Sequence, residues 1–140
     1  MRLRKKAFQI GLLILPVILL CIVISRSRPR EFLELSGLND YDQIMFCSAQ
    51  SLDTPSLVLE GEPLAALCDA LRDSRFCYEK ENTNTYPAPV YTVAFRDAAG
   101  RQSVWLVDRD GLFYTDKAAY RLEGPGRAAV YALLGIGQPQ

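Results

Sequence analysis

The sequence contains no histidine. A Ser-His-Asp triad and a Cys-His pair both need an imidazole as general base, so both kinds of nucleophilic site are excluded. Most zinc sites are excluded too, because imidazole is lacking and the four cysteines do not have metal-binding spacing. We therefore predict neither a metal site nor a cofactor.

Acidic side chains are missing from the first thirty residues, which hold seven of the 16 Lys and Arg. Residues 31–140 hold all 16 Asp and Glu with the remaining nine basic residues, a formal charge of −7. Nucleic-acid binding depends mainly on neutralising phosphates, so an acidic body without a basic stripe argues against a nucleic-acid partner.

Charge is also missing from residues 7–24, where Gln9 is the one strongly polar side chain. As a helix, residues 7–25 would span about 28 Å, close to the roughly 30 Å hydrocarbon core of a bilayer. A buried core helix is disfavoured because the segment has no polar face. The four basic residues before it are typical of an export signal or a membrane anchor.

The sequence favours an uncleaved anchor over a cleaved export signal. The segments Val23-Ile24-Ser25 and Ser25-Arg26-Ser27 have small residues for a signal peptidase but lack the Ala-x-Ala form of a cleavage site. The arginines at 26, 28 and 30 suit the headgroup region. Lipidation at Cys21 is disfavoured because Leu20 is not small. The excess of basic residues before the segment places the N-terminus inside the cell and the body outside.

The predicted organisation has four parts. They are a basic cytoplasmic head (1–6), a transmembrane signal-anchor (7–25), a juxtamembrane linker (26–30) and an extracytoplasmic domain (31–140). The bilayer is thus one expected partner, through residues 7–25, and the protein is placed in the cell membrane as a single-pass chain.

Apolar periodicity predicts the elements of the body. Helical turns are expected within 32–38, strands near 44–47 and 56–59 around a turn at Asp53-Thr54-Pro55, and an extended segment at 75–79. A helix is predicted from Pro63, because Leu64, Leu67, Cys68 and Leu71 form one apolar stripe. Residues 80–89 have no apolar pattern and are predicted to form the longest loop.

Residues 90–122 predict a meander of four strands, near 90–96, 102–108, 112–115 and 118–122. Two turns of the form Asp-x-x-Gly, at 97–100 and 108–111, indicate three-residue hairpin loops. Such loops would pair Phe95 with Ser103, Val93 with Trp105, and Val107 with Phe113. The second face of the sheet, with Ala94, Val104 and Leu106, is also apolar, so we expect something to pack there.

A last helix is predicted over 127–134, ending at Gly135. The order of elements predicts an α+β fold, in which an N-terminal transmembrane helix precedes a small, mostly antiparallel sheet with two packed helices.

Few residues qualify for a site. Aromatic side chains at strand spacing are usually core, and the alternative is a ligand-binding patch of Trp105, Tyr86 and Tyr91. A disulfide outside the cytoplasm would most simply join Cys68 to Cys77. Near a helix N-terminus, Glu60 and Glu62 suit the helix dipole better than acid–base catalysis. Asp108 and Asp110 resemble the start of a calcium loop, but hairpin chemistry explains them.

The pattern resembles that of small membrane-anchored or lipoprotein-type extracytoplasmic domains of Gram-positive bacteria. The residues that carry the resemblance are Leu57-Val58-Leu59-Glu60 leading into Leu64–Leu71, and Tyr91–Asp97 followed by Gly100. The sequence departs from the lipoprotein members in lacking a lipobox. Such families have no catalytic residues to transfer.

The first functional hypothesis is therefore a non-enzymatic, membrane-anchored module that binds an extracytoplasmic protein or a small ligand. The alternatives are a carboxylate-based enzyme or enzyme accessory subunit, which no motif supports, and a cleaved, secreted binding protein.

Overall fold

A computed structural model describes residues 2–52 and 54–137. In that part of the chain, helix α1 (Arg2–Ser27) precedes a body with three further helices: α2 (Phe32–Ser36), α3 (Gly61–Arg72) and α4 (Arg127–Leu134). The strands are β1 (Ile44–Ser51), β2 (Thr54–Leu59), β3 (Arg75–Glu81), β4 (Tyr91–Asp97), β5 (Gln102–Val107), β6 (Phe113–Tyr114) and β7 (Ala118–Glu123).

The strands form one open sheet in the order β2-β1-β4-β5-β6-β7-β3, and every neighbouring pair is antiparallel. The predicted meander is its centre, the β1–β2 hairpin extends one side, and β3 extends the other. The predicted α+β fold with an antiparallel sheet is confirmed. Three helices of the body, rather than two, contribute side chains to the core against one face.

The registers predicted for the two hairpins are confirmed. Val93 pairs with Trp105, Phe95 with Ser103, and Val107 with Phe113. Gly100 and Gly111 have φ values of 83° and 77°, the left-handed conformation that such loops require and that glycine adopts without strain.

Several element boundaries differ from the prediction. Strand β1 runs to Ser51, because polar residues after Cys47 alternate with buried ones, and β3 runs to Glu81, into the predicted loop. Helix α3 begins at Gly61, before Pro63, since proline is tolerated throughout a first turn whose N–H groups have no partner within the helix. The predicted turn residue Asp53 and the domain's residues 138–140 lie outside the described residues.

Helices α3 and α4 pack closely at one point. A β-carbon on Gly126, the residue before α4, would lie 1.9 Å from the carbonyl oxygen of Ala70 in α3. Only glycine fits there, so this residue sets the distance between the two helices.

Helix α1 is long and apolar enough, over Arg4–Ser27, to cross a membrane, and none of that window is buried against the body. An N-terminal signal sequence has the same properties. The helix therefore fits a membrane segment and contributes nothing to the core of the body.

The end of α1 meets the body at strand β3. The guanidinium of Arg26 lies 3.7 Å from the Glu81 carboxylate and 5.9 Å from the centre of the Tyr78 ring. After the helix, Arg28 donates to Glu34 at 2.8 Å. These contacts give the arginines carboxylate partners in the body, in addition to the headgroup role that the sequence suggests.

Arg30 pairs with the outer edge of β3. Its N–H donates to the Phe76 carbonyl at 2.9 Å, and its own carbonyl accepts from the Phe76 N–H at 2.8 Å. The linker therefore covers part of one edge of the sheet.

Candidate binding surface

Trp105 lies in the core. Its side chain is 2% exposed, and the rings of Phe32 and Phe76 lie 5.8 and 5.3 Å from it, centre to centre. The indole Nε1–H donates to Ser103 Oγ at 2.9 Å, which satisfies its one polar group. The role of Trp105 as a ligand-facing residue is contradicted by this burial, and the core role is what the structure shows.

Tyr86 and Tyr91 contact different parts of the protein. Tyr86 stacks edge-on against Tyr114 at 4.8 Å, and its hydroxyl donates to Asn82 Oδ1 at 3.2 Å, which fastens the 82–90 loop to the sheet. Tyr91 is half-buried against the core, opposite Val107 in the register. The three aromatic residues predicted from the sequence therefore do not share one exposed surface.

The cysteines Cys21, Cys47, Cys68 and Cys77 are free thiols. Cys68 is buried in the core with Cys47, whereas Cys77 follows core residue Phe76 and faces the other side of the sheet, with Sγ 3.4 Å from Glu123 Oε2. The predicted Cys68–Cys77 disulfide is therefore not formed, because strand alternation turns the two side chains toward opposite faces.

Burial controls the chemistry of the two core thiols. It raises the pKa of Cys47 to about 12, with a further contribution from Cys68, and raises the pKa of Cys68 to about 11. The thiolate is the nucleophilic form, so both groups are inert at neutral pH. Cys47 and Cys68 act as small core residues.

The buried carboxylates hold turns. Asp97 accepts from the N–H groups of Ala99 and Arg101 at 3.0 and 2.9 Å. Asp108, 1% exposed, accepts from the Tyr114 hydroxyl at 2.7 Å. Hydrogen bonding to Asp108 and, above all, burial raise the pKa of Tyr114.

The other carboxylates singled out from the sequence are solvent-facing. Glu60, Glu62 and Asp110 are exposed. Among residues 2–52 and 54–137, no three His, Cys, Asp or Glu side chains are grouped so that they could hold a metal ion. The segment from Asp108 to Gly111, which resembles the start of a calcium loop in sequence, forms a hairpin turn.

A cavity of about 310 Å³ lies where α3 meets the start of β1. Three charged side chains line it, Asp42, Asp69 and Arg72. Arg72 is ion-paired with Asp69 at 3.0 Å and with Asp42 at 3.9 Å, and its guanidinium lies 4.9 Å from the centre of the Tyr41 ring. The floor is apolar, with Ile44, Leu64 and Cys68 among its residues. A ligand there would compete with contacts that Arg72 already makes.

The second face of the sheet leaves apolar side chains exposed to solvent. We define the open face by its apolar members on β1, β2, β4 and β5, which are Phe46, Val58, Ala94, Val104 and Leu106. One cross-strand row runs Val58, Ser48, Ala94, Val104, so a polar side chain lies between Val58 and Ala94. Val58 and Val104 are 50% and 55% exposed, so the described residues do not cover this face there. The described chain supplies part of the packing expected from the sequence, because Tyr86 lies against Tyr114, the cross-strand neighbour of Leu106, but it leaves Val58 and Val104 half-exposed.

Sequence patterns found part of this surface. The alternation of β4 and β5 gave Ala94, Val104 and Leu106. Phe46 is not predictable from alternation, because the register of β1 shifts between Ile44 and Phe46 and places them on different faces. Val58 is assigned to this face only by its pairing with Ser48 of β1. Arg96 borders the surface, with its guanidinium 5.4 Å from the centre of the Phe46 ring.

Comparison of the chain with protein-family models, with curated proteins and with solved structures gives no match. The open face is therefore interpreted from its own chemistry, and the likeness to Gram-positive extracytoplasmic domains rests on sequence pattern alone.

Proposed function

We propose that the protein is a single-pass, membrane-anchored binding module whose body lies outside the cytoplasm and holds a partner protein on the open face. The observation that carries this proposal is the exposure of two apolar side chains on one face of the sheet, Val58 at 50% and Val104 at 55%, in one cross-strand row with Ser48 and Ala94. Burying apolar area contributes roughly 25 cal/mol per Å², so a complementary surface gains free energy by covering these residues.

The anchor is supported by helix α1. None of its membrane-spanning window is buried against the body, and four basic residues precede the uncharged run 7–24. An apolar helix of this length left in water would expose its side chains along its whole length, which a bilayer prevents.

A protein is a better occupant of the open face than a lipid surface. On the same side of the sheet, β7 carries Arg121, which is ion-paired with Glu79 at 2.6 Å and Glu123 at 2.7 Å. A sheet lying flat on a bilayer would press these charged groups against the acyl region, where desolvation is costly. A protein partner can cover the apolar strands and leave this charged part in water.

Within residues 2–52 and 54–137 we identify no group of side chains that supports the enzyme alternative. The buried carboxylates of Asp97 and Asp108 are used by hairpin turns, and both core thiols are held neutral by burial.

Site-specific photo-crosslinking in native cells tests the proposal. A photoreactive residue replaces Val104 or Val58 in the full chain, and the matched control replaces Ala128, which is exposed on α4 at the opposite side of the sheet. We expect one discrete protein adduct from Val104 and Val58 and none from Ala128. Equal labelling from all three positions, or none from the open face, contradicts the proposal.

Topology is tested separately with a membrane-impermeant thiol reagent on intact cells. A Thr83→Cys variant places a thiol in the exposed 82–90 loop, on a Cys77→Ser background that removes the half-exposed native thiol. Labelling of intact cells in the membrane fraction supports an anchored, external body. Labelling only after lysis places the body in the cytoplasm, and labelling only in the medium identifies a secreted protein.

A further inference from the structure

The two edges of the sheet are treated differently. The edge at β3 is partly covered by the backbone of Arg30. The edge at β2 has no backbone partner on its outer side among residues 2–52 and 54–137. An uncovered edge presents a row of N–H and C=O groups that an extended chain can pair with.

Strand β2 has one of the usual protections of an exposed edge, a proline near its start, and lacks the charged side chains that are another. Its sequence, Thr54–Leu59, contains no charged side chain, and its one proline, Pro55, lies near its start. Natural edge strands commonly carry lysine or other charges that discourage pairing. The Leu57–Leu59 segment is therefore open to strand addition.

Charge in the body is strongly divided along the chain. Residues 31–71 hold eight acidic and no basic residues, a formal charge of −8. In the described part of the chain, four of these carboxylates have arginine partners in ion pairs: Glu31, Glu34, Asp42 and Asp69. Residues 72–140 hold eight acidic and nine basic residues, a formal charge of +1. Glu60 and Glu62 follow β2 directly and are exposed.

We propose that the β2 edge binds an extended, lysine- or arginine-bearing strand of the partner protein, which continues the sheet beyond β2. The inference rests on the proposed function and specifies how the partner is recognised. Val58 belongs to both β2 and the open face, so one partner can pair with the edge and cover the apolar surface beside it. Main-chain pairing supplies affinity, and the acidic surroundings select for basic side chains.

A second copy of the chain is a poorer occupant. Two β2 edges in contact would bring the exposed Glu60 and Glu62 of both copies into the same region, and repulsion between like charges opposes that pairing. A basic strand gains from the same field.

Synthetic peptides test the inference on the full chain in detergent micelles. The probe is a peptide of alternating Val and Thr with Lys at both ends, and matched peptides carry Glu at both ends or alternate N-methylated amides. Binding is followed by titration, and its location by hydrogen exchange of the β2 amides. We expect the Lys peptide to bind about tenfold or more tightly than the Glu peptide and to slow exchange in β2.

Two further results fix the interpretation. N-methylation should abolish binding. Glu60→Gln with Glu62→Gln should weaken the Lys peptide several-fold, while the protein keeps one cooperative thermal transition, lowered only by the loss of two carboxylates at the N-terminus of α3. Equal affinity of the Lys and Glu peptides, or binding without protection of β2, overturns the edge proposal. In either case the proposed function still stands if a photoreactive residue at Val104 forms its specific adduct in cells. If that adduct is absent too, both the edge proposal and the proposed function are wrong.

Discussion

Along strand β5, Trp105 is 2% exposed and the preceding Val104 is 55% exposed. On one side of the sheet, Trp105 packs with the aromatic rings of Phe32, Phe76, Phe95 and Phe113 under the helices of the body. On the other side, Val104 faces solvent beside Ala94. The difference separates two tasks, because the covered face holds the fold together and the open face is the one to which we assign the proposed binding.

The largest test of this division replaces Trp105. Trp105→Ala removes the centre of the aromatic core and should lower the free energy of unfolding by about 3–5 kcal/mol. Urea unfolding of the full chain in detergent, followed by near-UV circular dichroism, measures the change. A loss below about 1 kcal/mol would show that the ring is not a core element.

Alkaline pH tests the covered face through its thiols. Because burial raises the pKa of Cys47 from 9.0 to about 12, the folded state keeps the thiol neutral where the unfolded state ionises. This contribution is complete below pH 9 and is lost as the pH rises toward 12, at up to about 1.4 kcal/mol per pH unit. Over roughly pH 8.5–10.5, the unfolding free energy should decrease less steeply with pH in Cys47→Ala than in the native protein. An equally steep decrease in both proteins contradicts the assignment.

Substitutions at Asp97 and Asp108, the aspartates of the two hairpin turns, should lower the free energy of unfolding by smaller amounts. Asp108→Ala leaves the buried Tyr114 hydroxyl and two turn amides without their acceptor, and should cost about 1–3 kcal/mol. Asp97→Ala exposes similar amides beside the solvent-facing Arg101 and should cost about 0.5–1.5 kcal/mol. Parallel thermal unfolding of both variants gives the order, and the reverse order would contradict the burial argument.

The smallest effect on stability is expected on the open face. Val104→Thr keeps the β-branched shape at a half-exposed site and should change the unfolding free energy by less than about 0.5 kcal/mol. Val104→Asp should also fold, as judged by its thermal transition, yet lose the partner adduct formed from a photoreactive residue at Val58. Retention of that adduct would separate the open face from binding.

The sequence predicted local structure well where two patterns agreed. In the 90–122 meander, strand alternation and the Asp-x-x-Gly turns specified the same registers, because a hairpin closes between residues near in the chain. The position of β3 beside β7 was not predictable in this way. That pairing joins Phe76 to Leu122 across a long separation, which no local pattern records.

The candidate site was harder to predict than the fold. Trp105 and Tyr91 lie on the same face as Val93 by alternation, but alternation alone does not say which face the helices cover. The Cys68–Cys77 disulfide was predicted wrongly for a related reason. The face of the sheet on which the Cys77 side chain lies depends on the pleat of β3, which the sequence did not specify. Trp105 could be assigned to the core only once the helices were placed.

The short linker has a mechanical consequence for a membrane-anchored chain. Between Ser27, the last residue of α1, and Arg30, which is hydrogen-bonded to β3, the chain can extend at most about 11 Å. The body would therefore have no stalk and would stay at the bilayer surface. Its encounters would be confined to a thin layer, which favours partners that diffuse laterally in the same membrane or possess a segment long enough to reach it.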